Sequence, residues 1–83
     1  MEAVGELALL LSALVEKCGR SVNSVAQEAS VDPAYLWRLM HGQRKKPSRD
    51  LLIRIGLVLQ LTPGEVDEIL AAADYLPLTL RQN

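Results

Sequence analysis

The stretch VAQEASVDPAYLWRLMHG, Val25–Gly42, decides the fold of this chain. It contains two short runs of apolar residues at helical spacing, and only three residues, Ser30–Asp32, separate them. Pro33 is typical of a first helical turn, because proline lacks the backbone N–H that stays unbonded there. Gly42 can adopt the left-handed conformation that ends a helix. The stretch therefore predicts two helices joined by a tight turn: Val22–Ala29 and Pro33–His41.

Helical periodicity continues on both sides of this stretch. Before it, apolar residues at three- and four-residue spacing predict a helix over about residues 2–17. After it, Ser48 can cap a helix Arg49–Leu61, which is apolar almost all round and is therefore expected to be the most buried element. The sequence TPGEV repeats the cap-and-proline start and predicts a fifth helix over about residues 63–75. No segment alternates with the period of a strand, so we predict an all-α, compact five-helix fold.

The length of 83 residues predicts a single domain. Within residues 1–83 the helix pair spans about 21–42, a basic loop spans 43–47, the last two helices span about 48–75, and a tail follows at 76–83. Hydrophobic residues make up 49% of the chain and phenylalanine is absent. The core is therefore expected to consist of Leu, Val, Ile and Ala.

Several classes of function are disfavoured by what the sequence lacks. With one cysteine, Cys18, and one histidine, His41, it offers no intrachain disulfide, no metal-ligand cluster and no cysteine–histidine pair. It contains no cofactor-binding motif, so we predict no enzyme, no cofactor and no small-molecule ligand. The apolar run over residues 7–15 is much shorter than the roughly 20 residues that cross a bilayer. A cytoplasmic protein without a membrane partner is therefore expected.

Charge is distributed unevenly along the chain. The net charge is −1, yet residues 35–54 carry six Lys and Arg against one Asp. The flanking segments 1–34 and 55–83 each have a net charge of −3. The net charge of the whole chain conceals this basic centre, which indicates a polyanionic partner.

Two short helices joined by about three residues match the helix-turn-helix motif, in which the second helix enters the DNA major groove. Ala26 is small where the two helices would cross, and the positions that must touch are apolar: Val25, Ala29, Val31, Leu36 and Leu39. The same register leaves seven residues largely outside: Asp32, Pro33, Ala34, Tyr35, Trp37, Arg38 and His41. The second helix of the pair is therefore the expected recognition helix.

The stretches SVNSVAQEASVDPAYLWRLMHGQRKKPS and LLIRIGLVLQLTPGEVDEIL resemble the Cro/phage-repressor family, often called XRE-type. They share its order of helix, turn, recognition helix, Gly, basic residues, Pro, apolar helix and short-capped fifth helix, over roughly residues 10–75. The resemblance implies a repressor-like domain that regulates transcription on double-stranded DNA. Two positions depart from the family. Val22 stands where it usually has a Gln that supports a phosphate contact, and Ser30 stands where the turn usually has Gly, at a cost of about 1 kcal/mol if the residue is left-handed.

Four residues of the second helix are candidate base contacts: Ala34, Tyr35, Trp37 and Arg38. Arg38 and Tyr35 are the favoured base contacts. Arginine can donate two hydrogen bonds, to guanine O6 and N7, and such a pair contributes about 1–3 kcal/mol of discrimination against the wrong base. The alternative for Arg38 is to balance charge on a solvated surface. Trp37 can lie against thymine methyl groups or the sugar–phosphate backbone, but the cost of exposing tryptophan favours packing over the fourth helix at the rim of the core.

A second set of residues is expected to contact phosphate: Asn23, Ser24, His41, Gln43, Arg44, Lys45 and Lys46. The three clustered cations directly follow the recognition helix, and on binding they would release condensed counterions without reading sequence. A basic loop on an average protein is only solvated, but its place after this motif favours phosphate contact. Asn23 and Ser24 add donors at the start of the first motif helix.

The sequence thus predicts a sequence-specific transcriptional regulator, a repressor of its own or a neighbouring promoter. A lone domain of this size makes few base contacts, so a homodimer on two half-sites is expected. The alternative is a helical protein-interaction module, such as an antitoxin-like or adaptor subunit, which the acidic net charge, Val22 and Trp37 support. Salt separates the two, because phosphate contacts weaken steeply as salt rises and apolar interfaces do not.

Overall fold

The computed structural model describes residues 5–43 and 47–77, and within them all regular elements are α-helices. Five helices follow one another along the chain: α1 (Glu6–Cys18), α2 (Val22–Glu28), α3 (Pro33–Met40), α4 (Arg49–Val58) and α5 (Pro63–Ala72). The predicted all-α, five-helix fold is confirmed. Three predicted features lie outside the described residues: the helix start at residues 2–4, the cations Arg44, Lys45 and Lys46, and the tail over residues 78–83.

Short polar side chains start three of the helices, as the sequence predicts. Ser21, Ser48 and Thr62 each accept a hydrogen bond from the backbone N–H three residues later, at 3.0, 3.1 and 3.1 Å. Thr62 completes a capping box, because its own N–H donates to the Glu65 carboxylate at 2.9 Å. Asp32 holds the same position before α3, but its side chain makes no capping bond, so the following proline supports that start.

The turn between α2 and α3 is closed by Ser30, whose φ of 61° lies in the left-handed region. The N–H groups of Ser30 and Val31 donate to the carbonyl oxygens of Gln27 and Ala26 at 3.2 and 2.8 Å, which is the pattern of a Schellman motif. The turn therefore has the tightness that the sequence predicts. It also has the strain of about 1 kcal/mol expected for a residue with a Cβ in this region.

Left-handed residues also follow the ends of α3, α4 and α5: Gly42, Gln60 and Asp74. The last two make their helices shorter than predicted. α4 ends at Val58 rather than Leu61, and α5 ends at Ala72 rather than near Tyr75. The apolar spacing continues through both ends, and neither left-handed residue is a glycine, so periodicity alone put the boundaries too late.

The five helices share one apolar core. α1 packs against α3 and α5, α2 packs against α3 and α4, and α4 packs against α5. Fully buried side chains lie at its centre: Leu11, Val25, Leu36, Leu39, Leu52, Ile55, Ile69 and Leu70. Ala26, the predicted small residue of the helix pair, is also fully buried. The core therefore consists of the aliphatic residue types that the composition predicts.

The fourth helix has the smallest share of exposed residues of the five, three of ten, but it is not buried all round. Within α4 only Leu52, Ile55 and Gly56 are buried, and Leu57 is 72% exposed. Arg54 and Asp50, one helical turn apart on α4, form an ion pair with a distance of 3.3 Å between Nε and Oδ2. α4 is amphipathic like its neighbours, because a domain of this size has room for only one buried side of each helix.

Side-chain hydrogen bonds hold the two ends of the segment between α3 and α4. The Ser12 hydroxyl of α1 donates to the carbonyl oxygen of Met40, the last residue of α3, at 3.0 Å. The Tyr75 hydroxyl donates to the carbonyl oxygen of Pro47 at 2.8 Å, and Pro47 is itself fully buried. Met40 and Pro47, on either side of the cations of the basic loop, are thus bonded to α1 and to the residue Tyr75 that follows α5.

None of the described helices is long and apolar enough to cross a membrane. Residues 5–43 and 47–77 contain no group of three His, Cys, Asp or Glu side chains that could hold a metal ion. Cys18, at the end of α1, is exposed and carries a free thiol.

Candidate nucleic-acid interface

α3 presents one continuous exposed side, which we call its outer face: Ala34, Trp37, Arg38 and His41. These residues are three and four positions apart and therefore lie on the same side of a helix. On the opposite side, Leu36 and Leu39 are 0% and 1% exposed. The apolar residues of α3 thus determine which side chains face outward.

Trp37 stacks on His41 at the C-terminal end of the outer face. The ring centroids are 3.8 Å apart and the ring planes differ by 18°. The His41 Nδ1–H donates to the Trp37 carbonyl oxygen at 2.8 Å, which fixes the imidazole, since a carbonyl oxygen only accepts. Trp37 is 45% exposed, so the expectation that it packs into the rim of the core is wrong. The imidazole, rather than the core, covers part of the indole.

Tyr35 is half-buried and packs against the core. It lies four positions before Leu39, so helical geometry turns it toward the buried side. Of the four candidate base contacts, the structure brings Ala34, Trp37 and Arg38 together and leaves Tyr35 at the edge of the outer face. Contact of these residues with DNA stays a prediction.

The start of α2 offers fewer free backbone donors than the sequence suggests. The Ser24 N–H donates to the Ser21 hydroxyl at 3.0 Å, and the Ser24 hydroxyl accepts from Arg20 Nη2 at 2.8 Å. Val22 is half-buried and packs against the core. Asn23 is exposed and is therefore the better placed of the two candidate phosphate contacts on α2.

Arg20 positions α2, and the sequence reasoning missed it. Its guanidinium donates to the Ser24 hydroxyl and the Glu28 carboxylate, both on α2, and to the carbonyl oxygen of Val58 at the end of α4. The spacing of four residues between positions 20, 24 and 28 is the signal that was available. Arg20 thereby connects the first helix of the motif to α4.

The basic loop 43–47 leaves α3 in a fixed direction. The exposed Gln43 follows the left-handed Gly42, and its N–H donates to the Arg38 carbonyl oxygen at 2.8 Å. The candidate phosphate contacts Arg44, Lys45 and Lys46 lie outside the described residues. In sequence they lie between the exposed Gln43 and the buried Pro47.

Comparison with known proteins gives one match. A family model described as a helix-turn-helix domain matches residues 6–69, which is more than three quarters of the 83 residues. No curated protein and no solved structure matched the chain. The matched range starts at the first residue of α1 and includes the whole of α2, the turn and α3.

Proposed function

The chain belongs to this helix-turn-helix family, of the Cro/phage-repressor (XRE) type, and on that premise we propose that it is a sequence-specific transcriptional regulator. Helix-turn-helix domains bind DNA, so the family accounts for the class of partner. In our proposal α3 enters the major groove with its outer face toward the base edges. The protein acts in the cytoplasm as a repressor of its own or a neighbouring promoter.

The outer face of α3 is the observation that carries this proposal. Arg38 is exposed there, on a helix that buried leucines hold against the core. An arginine on a helix that is held in place can bring its guanidinium to guanine O6 and N7 together, and this bidentate contact requires a constant distance between helix and base. Ala34, one turn earlier, has a side chain small enough for the backbone to approach the groove, and Tyr35 borders the face.

Phosphate contacts flank this face in the proposed complex. They come from the start of α2, from the end of α3 and from the basic loop: Asn23, Ser24, His41, Gln43, Arg44, Lys45 and Lys46. Because Nδ1–H of His41 donates to the Trp37 carbonyl oxygen, only the imidazolium form, which carries a second proton on Nε2, can donate to a phosphate oxygen.

We propose further that two copies bind together. A recognition helix of eight residues reads few bases, and two half-sites related by two-fold symmetry multiply the discrimination. Contact between the copies involves α5 or the exposed side of α1, where Leu9 is 65% exposed. The operator is then expected to be an inverted repeat.

Selection of random duplex DNA by the purified protein at moderate salt tests the proposal. We expect enrichment of an inverted repeat, and we expect Arg38→Ala to lose preference at one position in each half-site. Arg49→Ala is the matched control, since Arg49 is exposed at the first residue of α4 and not on the outer face. This control is expected to keep the selected sequence. If the folded protein enriches no sequence, the regulator proposal fails.

A protein-interaction module is the second candidate, and exposed leucines favour it. Leu9, Leu57 and Leu76 are largely exposed on α1, on α4 and after α5. Binding through such residues would persist at high salt, whereas DNA binding through several cations would not. A salt titration of binding to the selected duplex and to nonspecific DNA separates the two candidates.

A further inference from the structure

Trp37 is an uncommon residue for an exposed helix side in a small domain. It is the single tryptophan of the chain, and among the large exposed apolar side chains of the described residues it alone lies on the outer face of α3. Its neighbours on that face are a methyl group, a cation and an imidazole: Ala34, Arg38 and His41. An apolar ring therefore lies beside the arginine that reads bases in the proposed function.

The indole is held in place before any partner arrives. His41 covers one of its faces at 3.8 Å, and the bond from His41 Nδ1 to the Trp37 carbonyl oxygen holds the imidazole there. The exposed surface of Trp37 is consequently the ring edge and the other face. A fixed ring loses little rotamer entropy on contact, so the contact can be selective.

The major groove offers one apolar group to such a surface. Polar donors and acceptors make up the base edges there, except for the C5-methyl group of thymine. A 5-methylcytosine presents the same methyl group at the same ring position. The carbon surface of an indole gains little from a polar edge but removes water from a methyl group, whereas its Nε1–H can only donate to an acceptor.

From this chemistry we propose that the Trp37–His41 pair is a contact for a pyrimidine C5-methyl group, next to the base that Arg38 reads. The inference rests on the proposed function, because it requires α3 in the major groove. In it Trp37 touches the methyl group, and His41 is a positioning residue that keeps the indole in place. If the methyl group that Trp37 shields from water is removed, the affinity is expected to fall about four-fold.

The test uses the duplex that the full chain selects. Each thymine is replaced singly by uracil, which removes only the methyl group, and each cytosine is replaced singly by 5-methylcytosine, which adds it. We expect one position per half-site at which loss of the methyl group weakens binding about four-fold. A thymine-to-uracil effect identifies thymine as the source, and a gain on cytosine methylation identifies 5-methylcytosine.

Variants connect the effect to the ring pair. Trp37→Ala, and Trp37→Gln as a second variant, are expected to bind methylated and unmethylated duplexes equally, with helix content checked by circular dichroism. His41→Ala is expected to reduce the ratio between the two duplexes, and His41→Phe, which keeps a stacked ring, to restore it. That ratio does not depend on a phosphate contact by His41. Leu76→Ala, an exposed leucine beyond α5, is the control and is expected to keep both affinity and ratio.

The outcomes distinguish the inference from the function on which it rests. A specific duplex whose affinity does not depend on any pyrimidine methyl group overturns the inference and leaves the regulator proposal intact. So does a methyl effect that survives in both Trp37 variants. Absence of any selected duplex removes the proposed function, and the inference with it.

Discussion

Ser30 is a residue whose backbone conformation does not suit its side chain. Its φ of 61° reverses the chain between α2 and α3. Ser30→Gly is expected to raise the free energy of unfolding by about 0.5–1 kcal/mol, because glycine adopts this region without a Cβ contact and its greater unfolded-state entropy offsets only part of the gain. Urea unfolding at pH 7 measures the change. Ser21→Gly is the matched control, because Ser21 has an extended backbone. It removes a helix cap and is expected to lower the free energy of unfolding by a few tenths of a kcal/mol.

The exposed and buried residues of α3 were predictable only in part. Periodicity identified Leu36 and Leu39 as buried and Arg38 as exposed, because the spacing of aliphatic residues fixes the rotation of a helix. The same register left Trp37 outside, as observed. The expectation that it packs at the rim of the core came from the general cost of exposing tryptophan, which ignores a specific neighbour. His41 lies four residues later and supplies the cover. That pairing is visible in the sequence, but whether the rings stack depends on rotamers that a pattern does not specify.

The crossing of α4 and α5 depends on the absence of a side chain at Gly56. A Cβ there would lie 2.8 Å from Cγ2 of Val66, which is itself buried. Gly56→Ala is expected to lower the free energy of unfolding by about 1–2 kcal/mol, because overpacking costs more than the gain of about 1 kcal/mol in helix propensity. Thermal unfolding measures it. Gly64→Ala is the control, since its Cβ would meet no atom closer than 3.9 Å, and an equal loss there would contradict the steric explanation.

The cap of α5 makes stability depend on pH. The Thr62 N–H that donates to Glu65, together with the nearby Lys17 ammonium, holds the pKa of the Glu65 carboxyl below its ordinary value of 4.5. The folded state therefore binds fewer protons than the unfolded state in this range. The stabilisation is complete above pH about 5 and is lost as pH falls through the folded-state pKa.

Glu65→Gln is accordingly expected to destabilise the protein at pH 7 and to differ less from the wild type at pH 3.5. Gln keeps an acceptor for the capping box but cannot be charged. Urea midpoints at the two pH values measure the difference. Glu68→Gln removes a charge from an exposed position of the same helix without touching the cap. A gap between Glu65→Gln and wild type that is equal at both pH values would contradict the assignment.

Helix starts were predictable, whereas the exposed side of α4 was not. Ser21, Ser48 and Thr62 act within one turn of their own positions, so local sequence determines them. The burial of α4 depends on which neighbours reach it, and its apolar composition does not say that Leu57 faces outward. Long-range bonds such as that from Tyr75 to Pro47, 28 residues apart, leave no local pattern.

Folding brings together charged segments that are far apart in the sequence. The two acidic flanks come together because α1 packs against α5, and Glu6 and Glu68 border the same groove. The basic centre, residues 35–54, includes most of α3 and the first part of α4. Arg54 of that centre is paired with Asp50 on its own helix, so its cation is partly compensated. The net charge of −1 is therefore the sum of regions of opposite sign.

This arrangement predicts that the position of a cation matters for DNA binding and the net charge does not. The logarithm of the binding constant is expected to fall linearly with the logarithm of salt concentration, by about 0.9 for each phosphate neutralised. Lys45→Gln should reduce that slope by about one for each copy bound, since Lys45 belongs to the proposed phosphate contacts. Lys17→Gln changes the net charge equally, but Lys17 lies 3.7 Å from Glu65 of α5 and should leave the slope unchanged. Equal slope changes in both variants would mean that DNA senses only the total charge, and the basic loop would then have no specific part in binding.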